Sequence, residues 1–422
     1  MFKFLHSADL HLDSPMRGLE RYEGAPIERI RGATRRALEN LVQLAIEENV
    51  RFVIIAGDLY DTDWKDYNTA LFLSKQMSRL RMAGIRAFVV TGNHDAGSQI
   101  TRTLSMPENV KFLSAKRPET VVIEGFGVAI HGQGFAEQAV REDLSAGYPP
   151  ARKGLFNIGI LHTAATGREG HEPYAPCNVE GLLSKEYDYW TLGHIHRREV
   201  LYENPWMVFP GNIQKRHVNE SRPKGCTLVT VEEGRCSSVE HRNVHVVEWA
   251  LCDVDASDAN SPEAVLDRTR LRLERQIQSV GGRLLAARIQ LVGASRAHAE
   301  LNRDPEKWIN EIRSSATDFS GGNIWIEQVK VHTHPKQMGL EERLSQNDTI
   351  ADLLRLIQGL EPADEVLAPL KEEVAALRAK LPCELVEEMG AFNLHSPETV
   401  AHILEDVKEM LISRLLSTGG AQ

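Results

Sequence analysis

Short apolar runs alternate with helical patterns over the first half of the chain. Residues 52–56 form a continuous apolar run, which is typical of a strand covered on both faces. Apolar positions recur at helical spacing over residues 27–49 and again over residues 67–83. This alternation of strands and helices predicts right-handed crossovers and a largely parallel sheet, whose polar loops gather along one edge.

Five of the apolar runs end in polar residues of the same few types. These residues are Asp9, His11, Asp58, Asn93, His94, Asp95, His162, His194 and His196. Neutral imidazole is the commonest side-chain ligand of transition metals, and carboxylates bind the same ions. One His-x-His pair is a weak signal, but the five loops together offer enough ligands for two metals. Two divalent cations roughly 3.5–4 Å apart can stabilise both the attacking and the leaving oxygen of a phosphate ester.

The remaining runs predict a second sheet and two smaller regions. A hairpin at residues 121–130 and strands near 156–161, 187–192, 206–209, 226–231 and 238–243 predict a second sheet, mainly antiparallel. We therefore expect residues 1–243 to form an α/β, two-sheet β-sandwich flanked by helices. Residues 244–335 read strand–helix–strand–helix–strand, which predicts a small α+β cap domain.

Residues 336–422 predict an acidic helical segment. Helices are expected near 349–358, 363–380 and 397–416, the last with Ser396 as its N-cap. A stripe of apolar residues favours packing within the segment or docking of a partner helix; it comprises Leu360, Leu367, Leu370, Val374, Leu377 and Leu381. The segment holds 16 acidic and 8 basic residues, so most of the net charge of −10 lies here. The rest is nearly neutral, and the whole-chain charge does not exclude a nucleic-acid partner.

Composition and hydropathy predict where in the cell the protein is found. The chain of 422 residues is 42% hydrophobic and 26% charged, as is usual for a soluble globular protein. No apolar run approaches the length of a membrane span, and the first residues predict a strand rather than a signal peptide. We therefore expect a cytoplasmic protein without membrane association. Five cysteines without a Cys-x-x-Cys pair predict reduced structural thiols and argue against a zinc ribbon.

The ligand-bearing loops resemble the five motifs of the calcineurin-like metallophosphoesterases. The matching residues are Asp9-x-His11, Gly57-Asp58, Gly92-Asn93-His94-Asp95, His162 and Gly193-His194-Ile195-His196, in the family's order. Residues 4–12 and 57–61 are similar to bacterial DNA-repair exonucleases of the SbcD type. The loop at residues 167–177 resembles the YhaO-like branch of these enzymes. The general likeness extends through the cap, to about residue 335.

This resemblance implies a role for each site residue. Asp58 would bridge two metals. Asp9, His11 and His196 would complete one shell, and Asn93, His162 and His194 the other. A metal-bridged hydroxide would attack phosphorus in line, and His94 would protonate or stabilise the leaving oxygen. Asp61 occupies the position that orients this histidine in many relatives. The expected metal is manganese, with iron or zinc as alternatives.

The resemblance also implies partners. Relatives of this type act on DNA, with the cap steering it, and work with a separate coiled-coil ATPase of the SbcC type. The chain has no Gly-x-x-x-x-Gly-Lys-[Ser/Thr] loop of its own, so we expect the ATPase on another chain, with the acidic helical tail a candidate for docking it. Relatives also form homodimers through helices of the catalytic domain.

Further polar residues have two interpretations each. Arg197, Arg198, Lys215, Arg216, His217, Arg222 and Lys224 follow the last motif and are candidates for contacts with a phosphate backbone or for ordinary surface solvation. The same choice holds for Arg29, Arg31, Arg35 and Arg36. His6 and His131 are expected to be structural, and His171 is a candidate for a contact with substrate.

Two alternatives to a DNA exonuclease stay open. One is a phosphodiesterase or phosphatase that acts on small nucleotides or phosphoproteins. The other is a non-catalytic scaffold that tethers DNA, which predicts DNA binding that survives removal of the metal.

Overall fold

The computed structural model describes most of the chain. The described residues are 1–14, 26–61, 67–97, 106–165, 174–220, 223–336, 344–345, 349–361, 368–369, 372–373, 375–376 and 396–418. Two compact units are present, one comprising Met1–Ala250 with Gly282–Ala286 and the other Leu251–Gly281 with Ala287–Gln422. The division into residues 1–243, 244–335 and 336–422 stays a prediction.

The strands and helices alternate as the apolar pattern predicts. The strands are β1 (Phe2–Ser7), β2 (Phe52–Ala56), β3 (Arg86–Val90), β4 (Val110–Phe112), β5 (Glu119–Ile123), β6 (Val128–Gly132), β7 (Phe156–His162), β8 (Tyr189–Gly193), β9 (Glu199–Glu203), β10 (Trp206–Phe209), β11 (Gly225–Glu232), β12 (Arg235–Asn243), β13 (Val247–Asp255), β14 (Leu284–Ser295) and β15 (Ile324–Pro335). The helices are α1 (Ile27–Arg31), α2 (Ala33–Glu47), α3 (Tyr67–Met82), α4 (Asn93–Gly97), α5 (Val179–Leu183), α6 (Pro262–Ser279), α7 (His298–Arg303), α8 (Pro305–Ser320), α9 (Thr349–Gln358) and α10 (Pro397–Thr418).

The first sheet has the order β12-β11-β1-β2-β3-β4. Strands β1, β2, β3 and β4 are parallel neighbours, with Leu5 opposite Val53 and Val53 opposite Ala87. Strand β11 runs antiparallel to β1, and β12 runs antiparallel to β11. The predicted parallel sheet is therefore present, and it is extended by two strands from much later in the chain.

The second sheet has the order β5-β6-β7-β8-β10-β9, and its predicted direction was wrong. Strands β6, β7, β8 and β10 are parallel, and only the edge strands β5 and β9 pair antiparallel. Strands β11 and β12, which we also expected here, belong to the first sheet. Apolar alternation identifies a strand but not its neighbour, and the long connections before β7 and β8 allow parallel crossovers.

The two sheets pack face to face, with helices on the outer side. Phe4, Phe52 and Phe88 lie in one buried cluster with Ile130 and Ile158 of the second sheet. The alternate positions lie in a second cluster with helices α2 and α3; its members include Leu5, Val53, Ile55, Leu38, Leu41 and Leu73. Successive side chains of a strand point to opposite faces, so these strands are covered on both sides. The two-sheet sandwich flanked by helices is confirmed.

The second unit contains the small α+β module. Its sheet has the order β13-β14-β15, and the Arg288 guanidinium on β14 binds the Glu327 carboxylate on β15 at 2.6 and 2.7 Å. Helices α6, α7 and α8 accompany the sheet, and α7 is an addition to the predicted order. Leu354 and Ile357 of α9 pack with Ile412 of α10. The expected helix at residues 363–380 lies largely outside the described residues, as does its apolar stripe apart from Leu360.

Several smaller expectations can be compared with the structure. Cys177, Cys226, Cys236 and Cys252 are free thiols, and Cys383 lies outside the described residues. Arg35 donates from Nε to the Asp13 carboxylate at 2.8 Å. His131 is structural, because it contacts Thr120 and Asn157 at 2.9 and 3.1 Å. Within the described residues, no helix is both long enough and apolar enough to cross a membrane.

Buried His6 predicts a pH-dependent stability. Its Nε2 donates to the Leu192 carbonyl at 3.3 Å and its Nδ1 accepts from the Tyr189 hydroxyl at 3.2 Å. Burial lowers its pKa to about 3 in the folded protein, from about 6.5 in the unfolded chain. Below about pH 6.5 the imidazole is therefore protonated in the unfolded chain but stays neutral in the folded protein. Stability from this group is therefore full above pH 6.5, and about 2 kcal/mol should be lost between pH 6.5 and 5.

Urea unfolding at pH 7 and pH 5 measures this effect. His6→Gln should lose about 2 kcal/mol less than wild type over this interval. His402→Gln, which changes an exposed histidine on α10, should retain the full pH dependence of wild type. An equal pH dependence in wild type and His6→Gln would contradict the account.

Candidate metal centre

The loops after β1, β2 and β8 hold the predicted ligands in an unusual backbone conformation. Asp9, His11, Asp58 and His194 have φ values of 52°, 41°, 54° and 97°. Positive φ is uncommon for non-glycine residues, although Asp and His tolerate it better than most, and such residues cluster at functional sites. The Asp9 and His11 amides donate to the carbonyls of Gly57 and Asp58, each at 3.0 Å. These bonds fix the first two loops against each other.

Two glycines make room for the ligands. A Cβ on Gly57 would overlap Nδ1 of His162, and a Cβ on Gly92 would overlap Oδ1 of Asp58. Gly57 also has a φ of 94°, which L side chains rarely adopt. Gly57 precedes Asp58 and Gly92 precedes Asn93, and each glycine allows a neighbouring ligand residue to approach closely.

The first group of ligand atoms comes from Asp9, His11 and His196. These three offer atoms that all lie within 4.8 Å of one another. The Nε2 atoms of His11 and His196 are 3.1 Å apart. Asp9 is fully buried, and its carboxylate accepts from the His194 amide at 3.0 Å. A metal with bonds of about 2.0–2.2 Å would fit between such atoms.

The second group comes from Asp58, His162 and His194, which also lie within 4.8 Å of one another. Asn93 joins this group, since its Oδ1 is 2.9 Å from His162 Nε2. The structure thus brings together all seven predicted ligands from five separate loops. Their assignment as ligands stays a prediction.

Asp58 lies between the two groups. Its Oδ2 is 3.8 Å from His11 Nε2 and 3.4 Å from His162 Nε2. Its Oδ1 accepts from the His94 amide at 3.0 Å, which fixes the orientation of the carboxylate. A single buried carboxylate that faces both imidazoles has the position required of a bridging ligand.

The hydrogen bonds of the two central histidines suit metal binding. His162 Nδ1 donates to the Ala56 carbonyl at 2.9 Å, and His11 Nδ1 donates to Asp61 at 2.6 Å. Neutral imidazole carries one proton, so each Nε2 is left with a lone pair that faces the cluster. Metal-binding histidines are oriented in this way by the partner of their other nitrogen. The residues therefore fit a pair of cations.

The pKa values of His162, Asp9 and Asp58 show that the buried carboxylates of the cluster favour a positive charge beside them. Burial alone lowers the pKa of His162, but the carboxylates of Asp58 and Asp9 outweigh it and raise the pKa to about 9. Burial raises the pKa of Asp9 to about 6, although His162 opposes this shift. Burial also opposes ionisation of Asp58, yet the charges of His162 and His11 hold its pKa well below the usual range. A proton on His162 occupies the place that a cation would take, and metal binding would release it.

His94 lies beside the cluster at its open side. Its side chain is 35% exposed, whereas the predicted ligands Asp9, His11, Asp58 and His162 are buried. Asp61 Oδ1 is 3.7 Å from His94 Nδ1 but only 2.6 Å from His11 Nδ1. Asp61 therefore forms a short hydrogen bond with the predicted ligand His11, and its contact with His94 is longer.

Two residues to which the sequence assigned no role support the site. Asp95 is buried and accepts from the amides of Leu59 at 2.8 Å and Gly92 at 3.0 Å, joining two ligand loops. Its place in the Asn-His-Asp motif was the only signal for it. Glu220 Oε1 lies 3.4 Å from His196 Nδ1, and no sequence signal pointed to it.

Two of the basic residues that follow the last motif are held inside the protein. Lys224 is buried and donates to the His196 carbonyl at 2.6 Å. Lys215 is buried and paired with Glu248. These two lysines therefore cannot serve as surface contacts for a phosphate backbone. Arg216 lies beside the site, whereas Arg222 and His171 lie outside the described residues.

Comparison with known protein families agrees with this geometry. Residues 2–198 match the model of the calcineurin-like phosphoesterases, and residues 249–334 match the middle domain of metallophosphoesterase YhaO. The chain therefore contains a calcineurin-like phosphoesterase domain followed by a YhaO middle domain. The resemblance predicted from the motifs is confirmed.

Individual relatives are similar over part of their length. The uncharacterized metallophosphoesterase YhaO of Bacillus subtilis is 38% identical over 266 residues, or 62% of this chain and 65% of that protein. The DNA double-strand break repair protein Mre11 of Sulfurisphaera tokodaii is 25% identical over 260 residues, or 58% of this chain and 63% of that protein. A solved dimetal phosphatase from Danio rerio is 12% identical over 55% of this chain and 93% of its own, with a TM-score of 0.34, too low to bear on the fold. The chain spans slightly less than two thirds of the length of these curated relatives.

Gly92→Ala is expected to weaken metal binding. The added Cβ would displace the Asp58 carboxylate, and overpacking of this kind costs about 1–3 kcal/mol of stability. Gly125→Ala is the control, because a Cβ there meets nothing within 4 Å. Manganese titration and thermal unfolding measure both variants. Wild-type manganese affinity in Gly92→Ala would contradict the tight approach of the two loops.

Proposed function

We propose that this protein is a metal-dependent phosphodiesterase that hydrolyses DNA in the manner of a repair exonuclease. The observation that carries the proposal is the convergence of seven ligand-type side chains from strand ends of both sheets, with His94 beside them. Such a site is built for phosphate esters, because it combines sites for cations with a proton donor close to them.

The site residues divide the work between metal binding and proton transfer. Asp9, His11 and His196 would hold one divalent cation and Asn93, His162 and His194 the other, with Asp58 shared. Bound cations, with manganese as the expected metal, would supply charge neutralisation at the phosphate and a nucleophile at neutral pH.

His94 would donate a proton or hydrogen bond to the leaving 3′-oxygen. Burial lowers its pKa, although Asp58 opposes the shift. The negative charge of a bound phosphodiester would favour the protonated form that the step requires.

DNA is the substrate favoured by the relatives. Several curated relatives are DNA double-strand break repair proteins, including those of Sulfurisphaera tokodaii and Methanopyrus kandleri. The middle domain would steer DNA toward the site. We further propose a separate coiled-coil ATPase of the SbcC type as partner, and a homodimer formed through helices of the catalytic domain.

A second candidate is a phosphodiesterase or phosphatase that acts on small nucleotides or phosphoproteins. It is favoured by the positions of Lys215 and Lys224, which are buried and paired rather than available to a long phosphate backbone. A small substrate needs only the cations, His94 and few further contacts.

Hydrolysis of end-labelled single- and double-stranded DNA with added manganese tests the proposal, with bis-p-nitrophenyl phosphate as a small diester. We expect a ladder of DNA products that disappears on chelation. Turnover of the small diester with intact DNA would favour the second candidate. DNA binding that survives chelation, without turnover of either substrate, would contradict both and favour a scaffold.

A further inference from the structure

Arg216 lies at the edge of the metal cluster, in the segment that joins β10 to β11. Its Nη2 is 3.1 Å from Nδ1 of His196, and its Nη1 is 3.8 Å from Oδ1 of Asp61. Its Nε is 3.6 Å from Oε1 of Glu220. The side chain is 24% exposed, so the guanidinium faces both the site and the solvent in front of it.

The backbone before Arg216 is firmly held. The Gln214 side chain accepts from the Val246 amide at 2.9 Å and donates to the Val247 carbonyl at 2.8 Å. Lys215 is buried against Glu248. The Arg216 amide itself donates to Glu220 at 3.2 Å. Only the side chain of Arg216 is therefore left with room to change its partners.

The contact between Arg216 and His196 depends on the tautomer of the imidazole. Arginine is a donor only, so its Nη2 can bind His196 Nδ1 only when that nitrogen has a lone pair. A neutral imidazole that gives its Nε2 lone pair to a cation carries its one proton on Nδ1. Nδ1 would then donate to Glu220 Oε1, which lies 3.4 Å away, and would no longer accept from Arg216.

We propose that Arg216 binds the non-bridging oxygens of the substrate phosphate, and that metal loading releases it from His196 for this role. Oδ1 of Asp61 lies 3.8 Å from Arg216 and 3.7 Å from His94, so both groups approach the same side of the site. A phosphate in contact with His94 is thus within reach of the guanidinium fork, which matches phosphate oxygens in pairs. The inference rests on the phosphodiesterase activity proposed above.

Inorganic phosphate is the probe that tests this role without DNA. Calorimetric titration of the manganese-loaded protein would give its dissociation constant, and metal content would be measured on the same samples. Arg216→Gln should weaken phosphate binding by roughly tenfold to a hundredfold at unchanged manganese content. The phosphate affinity of Arg216→Lys should lie between those of wild type and Arg216→Gln, because lysine keeps the positive charge but lacks the forked guanidinium. Arg235→Gln, an exposed arginine on β12, should bind phosphate as wild type does.

A second experiment measures phosphate binding by the metal-free protein. After treatment with chelator, wild type and Arg216→Gln should bind phosphate equally weakly, because Arg216 is then engaged with His196. Equal phosphate affinity of the two manganese-loaded proteins would overturn the role of Arg216. Loss of manganese from Arg216→Gln would also overturn it, since the residue would then support His196 instead. Failure of wild type to cleave DNA, with the phosphate result as expected, would overturn only the choice of DNA as substrate.

Discussion

Asp58→Asn is expected to lower kcat on either a DNA or a small diester substrate by about a thousandfold or more. Asp58 Oδ2 faces His11 and His162 at 3.8 and 3.4 Å, so its charge serves both groups of ligands. Asparagine keeps the size of the side chain but removes that charge. The manganese content of the purified variant should fall together with kcat.

Asp188→Asn is the matched control for this prediction. Asp188 precedes β8, at the opposite end of that strand from His194. Its Oδ2 accepts from the Asn157 amide at 2.6 Å, and an amide oxygen can also accept. Its kcat and manganese content should stay near those of wild type. An Asp58→Asn variant that retains its full complement of manganese would contradict the bridging position of this carboxylate.

His94→Ala should lower kcat by about a hundredfold to ten-thousandfold while manganese content stays at the wild-type value. The side chain lies at the open side of the site, and the contact between the His94 amide and Asp58 is made by the backbone, which the substitution keeps. The expected signature of a proton donor is a dependence on the leaving group. For His94→Ala, kcat on DNA, whose leaving group is an alkoxide, should fall more than kcat on bis-p-nitrophenyl phosphate. The phenolate released from the small diester is a good leaving group and needs little protonation.

Steady-state kinetics on both substrates measure this difference, with His402→Ala as a control on an exposed histidine. The control should match wild type on both substrates. An equal loss of kcat on the two substrates would assign His94 to binding the phosphate rather than to the leaving group.

The sequence predicted the ligand set because fold topology places it. Runs such as 52–56 must be buried parallel strands, and the residues that follow parallel strands meet at one edge. Asp58 follows β2 of the first sheet, whereas His162 ends β7 and His194 follows β8 of the second sheet. The three come together because the two sheets pack face to face, although more than a hundred residues separate the first from the second. The glycine before Asp58 was part of the same signal, since only a residue without Cβ fits against His162.

What the sequence did not predict depends on contacts between distant side chains. Lys215 and Lys224 read as surface cations, but Glu248 and Glu220 pair with them inside the protein. The role of Asp61 in orienting His94 stays a prediction, and the sequence did not indicate its shorter contact with His11 at 2.6 Å. The direction of the second sheet was missed for a similar reason, since alternation along one strand carries no information about its neighbour.

The most direct test of the dinuclear centre is diffraction at the manganese absorption edge from crystals grown with manganese chloride. A dinuclear centre bridged by Asp58 would give two anomalous peaks roughly 3.5–4 Å apart with Asp58 between them. One peak should be surrounded by Asp9, His11 and His196, and the other by Asn93, His162 and His194. A single peak, or two peaks that do not share Asp58, would contradict the account.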